Sequence, residues 1–277
     1  MRRLIFKDFE YDGKRLSDFN SVLSSDSGNG VQTVNAGNTI DFQTVELPFL
    51  KKVKTTKNKY GEMLTATLSI VKNPCDSRYV YTQNEANGIY RWLNRMEFAS
   101  FTPIYEDENW SQVFYHASFN VNVKRIGNDI VGFDLEMITD APFAYYKEMV
   151  FSKTAVTSSN TLAFNDSSDE AGYQYPVVTI KCNAAGTLTF SNAADPDNDV
   201  VVKNCLKNEV ITFSGDTKSV SSSVAHTTLY DDFNYRYPRV VNSIEKNSKD
   251  VRRNEYSTSI SADVTITYSP ICKVSVL

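Results

Sequence analysis

The chain has 277 residues, of which 41% are hydrophobic and 22% charged, the proportions of a folded globular protein with room for one large or two ordinary domains. No run approaches the roughly 18 consecutive apolar residues of a membrane-spanning helix, so no membrane is expected among its partners. A formal net charge of -4 argues against a general nucleic-acid binder, which gains affinity by releasing counterions with an excess of Lys and Arg.

The opening MRRLIFKDFEYDGKRLSDF places Leu4, Phe6, Phe9 and Tyr11 near strand spacing. Asp12-Gly13 is a two-residue hairpin signal, because Gly tolerates positive φ. Lys7, Asp8 and Glu10 interrupt the apolar run that an export signal would need. SGNG, residues 27–30, lacks the Lys and the following helix of a phosphate-binding loop. LKKVKTTKNKYGE then carries Lys51, Lys52, Lys54, Lys57 and Lys59 ahead of a strand candidate at 63–72. Such a run reads either as an electrostatic contact loop for nucleic acid or an acidic partner, or as a solvated hairpin connection. It has none of the interleaved aromatics of a single-strand binder.

In TQNEANGIYRWLNRM, residues 82–96, Ile89, Trp92, Leu93 and Met96 recur at helical spacing, and Thr82 and Glu85 have the spacing of a capping box. The segment predicts an amphipathic helix packed on a sheet, slightly weakened by Gly88. ASFTPIY, residues 99–105, is a short strand. Residues 111–138 predict a long antiparallel hairpin with one apolar face. Val113, Tyr115, Ala117, Phe119, Val121 and Val123 alternate with mostly polar residues, Gly127-Asn128-Asp129 reverses the chain, and Val131, Phe133, Leu135 and Met137 resume the pattern. Over 152–174 the composition turns to Ser, Thr, Asn and Asp, as in a linker or exposed excursion. Short strand-like runs then follow (PVVTIKC, TLTF, EVITF, STSISADVTITYSP), the pattern of a β-sandwich of about 100 residues. The expected organisation is a domain at 1–151, a polar linker or excursion at 152–174 and a second domain at 175–277, mainly β throughout.

Catalytic groups are sparse. His116 and His226 are the only histidines, and no GxSxG elbow, HExxH pair or CxxC gives either a partner. Cys75, Cys182, Cys205 and Cys272 lie far apart, so zinc is not expected. They read as small buried thiols of a reducing cytosol, with a Cys182–Cys205 disulfide as the alternative. DPDND, residues 195–199, begins like a calcium loop, but Val200 and Leu206 stand where that loop needs Gly and Glu, which leaves an acidic turn between strands. The expectation is no catalysis, no metal and no cofactor.

The order of elements resembles the distal tail protein (Dit) family of long-tailed, siphophage-type bacteriophages and related prophage or tail-like particles. IFKDFEYDGKRLSDF at 5–19 is similar to that family's start, RWLNRM at 91–96 to its helix with a Trp-Leu pair, and MITDAPFAYYKE at 137–148 to the end of its first domain. YPVVTIKC, FNYRYPRVVNSI and ADVTITYSP, at 175–182, 233–244 and 262–270, resemble strands of its carboxy-terminal sandwich. Two departures stand out: Arg239-Val240-Val241-Asn242 replaces a Pro-Gly turn, and 246–256 reads as a polar insertion. The resemblance implies an amino-terminal β-sandwich-like hub domain with one α-helix and a carboxy-terminal galectin-like β-sandwich. It further implies a structural virion protein, assembled in the bacterial host cytoplasm, that forms a hexameric ring at the distal end of the tail. Its partners would be further copies of itself, the tail tube protein and the hub proteins of the tip or baseplate, with no sequence-specific nucleic acid. A galectin-like sandwich also admits a carbohydrate-binding or adhesin role. That role is the weaker reading, because sugar sites of this kind stack the ligand on Trp, and Trp92 and Trp110 both fall in the first domain.

Overall fold

The computed structural model describes residues 6–24, 40–49, 51–76, 78–105, 113–242 and 252–274. Leu4, SGNG at 27–30, Trp110 and most of the polar insertion at 246–256 lie outside the described residues. The chain divides into two compact units, one of residues 1–146 with 272–277 and the other of residues 147–271.

The first unit runs β1 (Phe6–Tyr11), β2 (Lys14–Arg15), β3 (Ser21–Ser24), β4 (Ile40–Val45), β5 (Lys54–Tyr60), β6 (Thr65–Lys72), α1 (Gln83–Leu93), β7 (Ala99–Tyr105), β8 (Val113–Ile126), β9 (Asp129–Thr139) and β10 (Ala144–Tyr146). Its main sheet has the order β2-β1-β7-β8-β9-β6-β3. The opening hairpin turns at Asp12 and Gly13, both at positive φ (51° and 73°), as a two-residue turn between twisted strands requires.

The alternation read from 113–138 matches the observed burial along the first part of β8, where Val113, Tyr115, Ala117 and Phe119 are buried. It does not persist to the tip. Val123 and Ile126 are exposed, and the register shifts between Lys124 and Arg125, while Ile130 and Phe133 of the facing strand β9 stay buried in the core.

Helix α1 begins as its capping box dictates: the Thr82 Oγ1 accepts from the Glu85 N–H, and the Thr82 N–H donates to Glu85 Oε2 at 2.7 Å. Trp92, 2% exposed, stacks on Phe19 and Phe9 at 4.4 and 5.6 Å and donates its Nε1–H to the Tyr11 carbonyl at 2.8 Å. The helix is thereby fastened to the first hairpin. Met96, expected on the same stripe, is instead fully exposed beyond the helix end.

The second unit runs β11 (Met149–Val156), β12 (Leu162–Asn165), β13 (Gly172–Gln174), β14 (Val177–Cys182), β15 (Gly186–Asn192), β16 (Val200–Cys205), β17 (Val210–Ser214), β18 (Ser219–Ser222), the short helix α2 (Leu229–Asp232), β19 (Val240–Asn242), β20 (Arg253–Thr258) and β21 (Ala262–Tyr268). Two antiparallel sheets, β11-β21-β14-β17-β18 and β12-β20-β15-β16, enclose one core that includes Ile180, Phe190, Phe213, Tyr256 and Ile266. This is a β-sandwich.

The stretch 152–174 is not a linker. β11 pairs with β21 and β12 with β20, and Val156, Leu162 and Phe164 are buried. The polar composition misleads because several of its polar groups are themselves buried and paired. Tyr268 donates its hydroxyl to Asp166 at 2.9 Å, as does Ser168 at 2.8 Å, and Asn242 Nδ2 donates to the Ser168 carbonyl at 2.7 Å. The division consequently falls at 146/147, not at 151. The end of the chain returns to the first unit, where Cys272 joins the core.

Candidate assembly interface

Three of the five lysines singled out in the sequence do not lie in a loop. Lys54, Lys57 and Lys59 belong to β5, which among the described residues pairs only with β4 to make a separate two-stranded sheet. Lys51 and Lys52 precede it in the turn from β4, and all five are exposed. Opposed residues share a face of a ladder. Asp41–Lys59, Gln43–Lys57 and Val45–Lys54 therefore define one face, and Ile40–Tyr60, Phe42–Asn58 and Thr44–Thr55 the other. Thr56 is the extra residue where the register shifts, and its hydroxyl donates to the Gln43 carbonyl at 3.0 Å. The arm is thus basic on one face and apolar toward its base on the other. Its turn adds exposed Leu47, Phe49 and Val53.

Every residue of β4 is exposed, and in β5 only Tyr60 is not. Tyr60 anchors the base, edge-on to Phe143 at 6.5 Å with the Lys273 ammonium over its ring. An isolated two-stranded hairpin is at best marginal in water. This one leaves Ile40, Phe42 and Phe49 exposed on its surface, an apolar patch of the kind that marks interaction surfaces.

Both histidines have carboxylate partners, brought from positions that no motif spacing reveals. His116 Nδ1 lies 3.1 Å from Asp140 on the exposed side of β8. His226, almost fully buried, sits between Glu209 and Asp232, at 2.7 Å from Nδ1 and 3.1 Å from Nε2. Burial pulls the His226 pKa down, but the hydrogen bonds and charges of the two carboxylates outweigh it, and the net shift is upward. Burial likewise pushes Glu209 up, yet the Leu206 N–H, the Ser222 hydroxyl and His226 hold it below the usual range. Asp232 is lowered by the Thr228 hydroxyl, His226 and Asn204. With both ring nitrogens occupied, His226 ties the β17 end of the sandwich to α2.

Cys182, Cys205 and Cys272 are buried, whereas Cys75 is exposed, unlike the buried thiol expected. Among the described residues none of the four forms a disulfide. The Cys182 and Cys205 thiols hydrogen-bond one another, and this contact together with burial pushes the Cys182 pKa up. Asp195 of DPDND takes a two-pronged ion pair from Arg239 at 2.7 and 2.8 Å in the connection between β15 and β16. No group of three or more His, Cys, Asp and Glu among the described residues is arranged to hold a metal ion.

Comparison with known proteins places the molecule among structural components of virus tails. Residues 4–141 match the model of a phage tail protein N-terminal domain and residues 143–268 that of a phage tail C-terminal domain. Together these span nearly the whole chain, which belongs to this family of phage tail proteins. Its fold is that of a distal tail protein: the crystal structure of the SPP1 Dit (gp 19.1) protein, titled a paradigm of the hub adsorption apparatus in phages infecting Gram-positive bacteria, superposes with a TM-score of 0.62 over 96% of this chain and 99% of that one, at 10% sequence identity. No curated protein matches the sequence.

Proposed function

We propose that six copies of the chain close into a ring at the distal end of the tail, joining the tail tube to the tip or baseplate, with a structural and not a catalytic role. The family membership and the Dit-like fold support a place in the tail, and the resemblance to Dit proteins supports the hexamer. The observation that carries the reading is the β4–β5 arm, a hairpin that leaves both a basic face and apolar side chains without cover from its own unit. A ring needs a head-to-tail contact between two different surfaces of each copy, and a projecting arm is one such surface. Its lysines steer docking toward acidic groups on the adjacent copy or the tube protein, and its apolar side chains supply the burial. Assembly takes place in the host cytoplasm, and no cofactor takes part. Native mass measurement tests this: a species of six copies, alone or with tail tube protein, is expected. A particle that stays monomeric at high concentration and with tube protein present contradicts it.

A further inference from the structure

Two thiols of the second unit face one another and play no part in the assembly reading. Cys182 is the last residue of β14 and Cys205 the last of β16, and these strands belong to different sheets of the sandwich. The turn that leaves Cys205 is bonded to both sides of Cys182. The Asn208 N–H donates to the Cys182 carbonyl at 2.7 Å, and the Cys182 N–H donates to the Glu209 carbonyl at 2.8 Å. The two side chains, 0% and 1% exposed, therefore meet between the sheets within one core.

Their contact is asymmetric. The Cys205 sulfur accepts from the Cys182 thiol and from the Leu188 N–H, and these donors hold its pKa below the usual thiol value in spite of burial. Cys182, the donor, is pushed up. Cys205 is thus the sulfur that attacks as a thiolate, and Cys182 the thiol that resolves. The pair lies at a strand end and not in mid-sheet. β16 is the last strand of its sheet, and Cys205 opposes Gly186 of β15 across a register shift between Gly186 and Leu188. Asn204 and Asn208, on either side of Cys205, hold left-handed backbone at φ 54° and 68°. Local opening at such an end costs less than global unfolding and admits a small neutral oxidant.

We propose that Cys182 and Cys205 are a latent inter-sheet disulfide, reduced while the protein is made in the cytosol and closed by peroxide once the tail is outside the cell. The timing rests on the tail reading above; the chemistry of the pair does not. The Cys205 thiolate attacks an oxygen of hydrogen peroxide, the O–O bond breaks, and the departing hydroxide takes up the thiol proton to leave as water. The Cys182 sulfur then attacks the sulfenic acid formed on Cys205, the S–S bond forms as the S–O bond breaks, and a second water leaves. Two thiols give up two electrons and two protons, and one peroxide becomes two waters. The bond ties β14 to β16, closes a loop that contains β15, and restrains the unfolded chain. Cys75 is exposed and Cys272 lies in the core of the first unit, so the chain carries its own comparison thiols.

The test exposes the full-length protein, purified reduced, to hydrogen peroxide, then quenches, denatures and alkylates it for peptide mass spectrometry. A Cys75→Ser background prevents cross-linking between copies. The expected result is a linked Cys182–Cys205 peptide pair, a mass lower by two hydrogens, Cys272 still alkylated, and a Tm for the second unit higher by about 5–15 °C, all reversed by dithiothreitol. In Cys182→Ser the sulfenic acid on Cys205 should accumulate and be trapped by dimedone, whereas Cys205→Ser should leave Cys182 unmodified. Both thiols remaining free at peroxide concentrations that oxidise Cys75 in the natural chain would overturn the proposal, as would linkage that appears only in urea. Native mass measurement on the same samples separates this from the ring: a monomer that forms the bond contradicts the ring alone, and a ring whose thiols stay free contradicts the staple alone.

Discussion

Changing Lys51, Lys52, Lys54, Lys57 and Lys59 together to Glu should leave the protein folded and weaken its assembly. For folding, the one ion pair these lysines make among the described residues is Lys59–Asp41 at 3.7 Å, with both side chains about half exposed. Such a pair is worth about 0–1 kcal/mol, which for a chain of this size moves Tm by at most about 4 °C. For assembly, five rim contacts at about 0.2–1 kcal/mol each make a joint loss of about 1–5 kcal/mol per contact, or about fivefold to several-thousandfold in affinity. Replacement by Glu adds repulsion to that loss on a chain already at net charge -4. Thermal unfolding should read nearly the same Tm for both proteins. Native mass measurement with and without tail tube protein, at low and high salt, should show wild-type assemblies that weaken with salt and variant assemblies at least about fivefold weaker at low salt, with the gap narrowing as salt rises. A variant that forms rings and attaches to the tube like the wild type at every salt concentration would refute the reasoning and reduce the lysines to a solvated strand face.

Other outcomes follow from the packing. Trp92→Ala removes a side chain stacked on Phe9 and Phe19 and leaves the Tyr11 carbonyl without its donor; it should cost about 3–5 kcal/mol by urea unfolding, and a cost below about 1 kcal/mol would show that α1 is not fastened as described. Phe42→Ser, on the exposed face of the arm, should leave Tm unchanged and weaken ring formation; a drop in Tm with assembly intact would mean that the face packs on its own unit. The His226 cluster should shape the pH dependence of the second unit. The His226 pKa is raised, so its contribution is complete below its ordinary value of 6.5 and is lost as pH rises through the folded value. Glu209 and Asp232 are lowered from 4.5 and 3.8, so their contributions are complete above those values and are lost as pH falls through the folded ones. The difference in Tm between wild type and His226→Gln should be greatest between pH 4.5 and 6.5; a difference that grows toward alkaline pH would contradict the assigned pairing.

Features governed by local period and turn chemistry were readable in the sequence. The Thr82–Glu85 box set the start of α1, Asp12-Gly13 the first turn, and the alternation through Val113 to Phe119 the buried face of β8. What the sequence hid depended on partners far along the chain. The Ser- and Asn-rich stretch after 151 looked like a linker because Asp166 and Ser168 find Tyr268 and Asn242 only once the sandwich has closed. Met96 keeps its period but falls past the end of α1, and Val123 keeps its period within β8 yet is exposed there. The lysine run was visible as charge, but its pairing with β4, which turns it into one face of an arm, was not.

Electron microscopy of the assembled tail tests the central claim most directly. The account predicts six copies of this chain closed into a ring around a central channel at the distal end of the tube, with each β4–β5 arm laid against an adjacent copy or the tube protein. A single copy, an open arrangement, or a ring in which the arms touch nothing would contradict it.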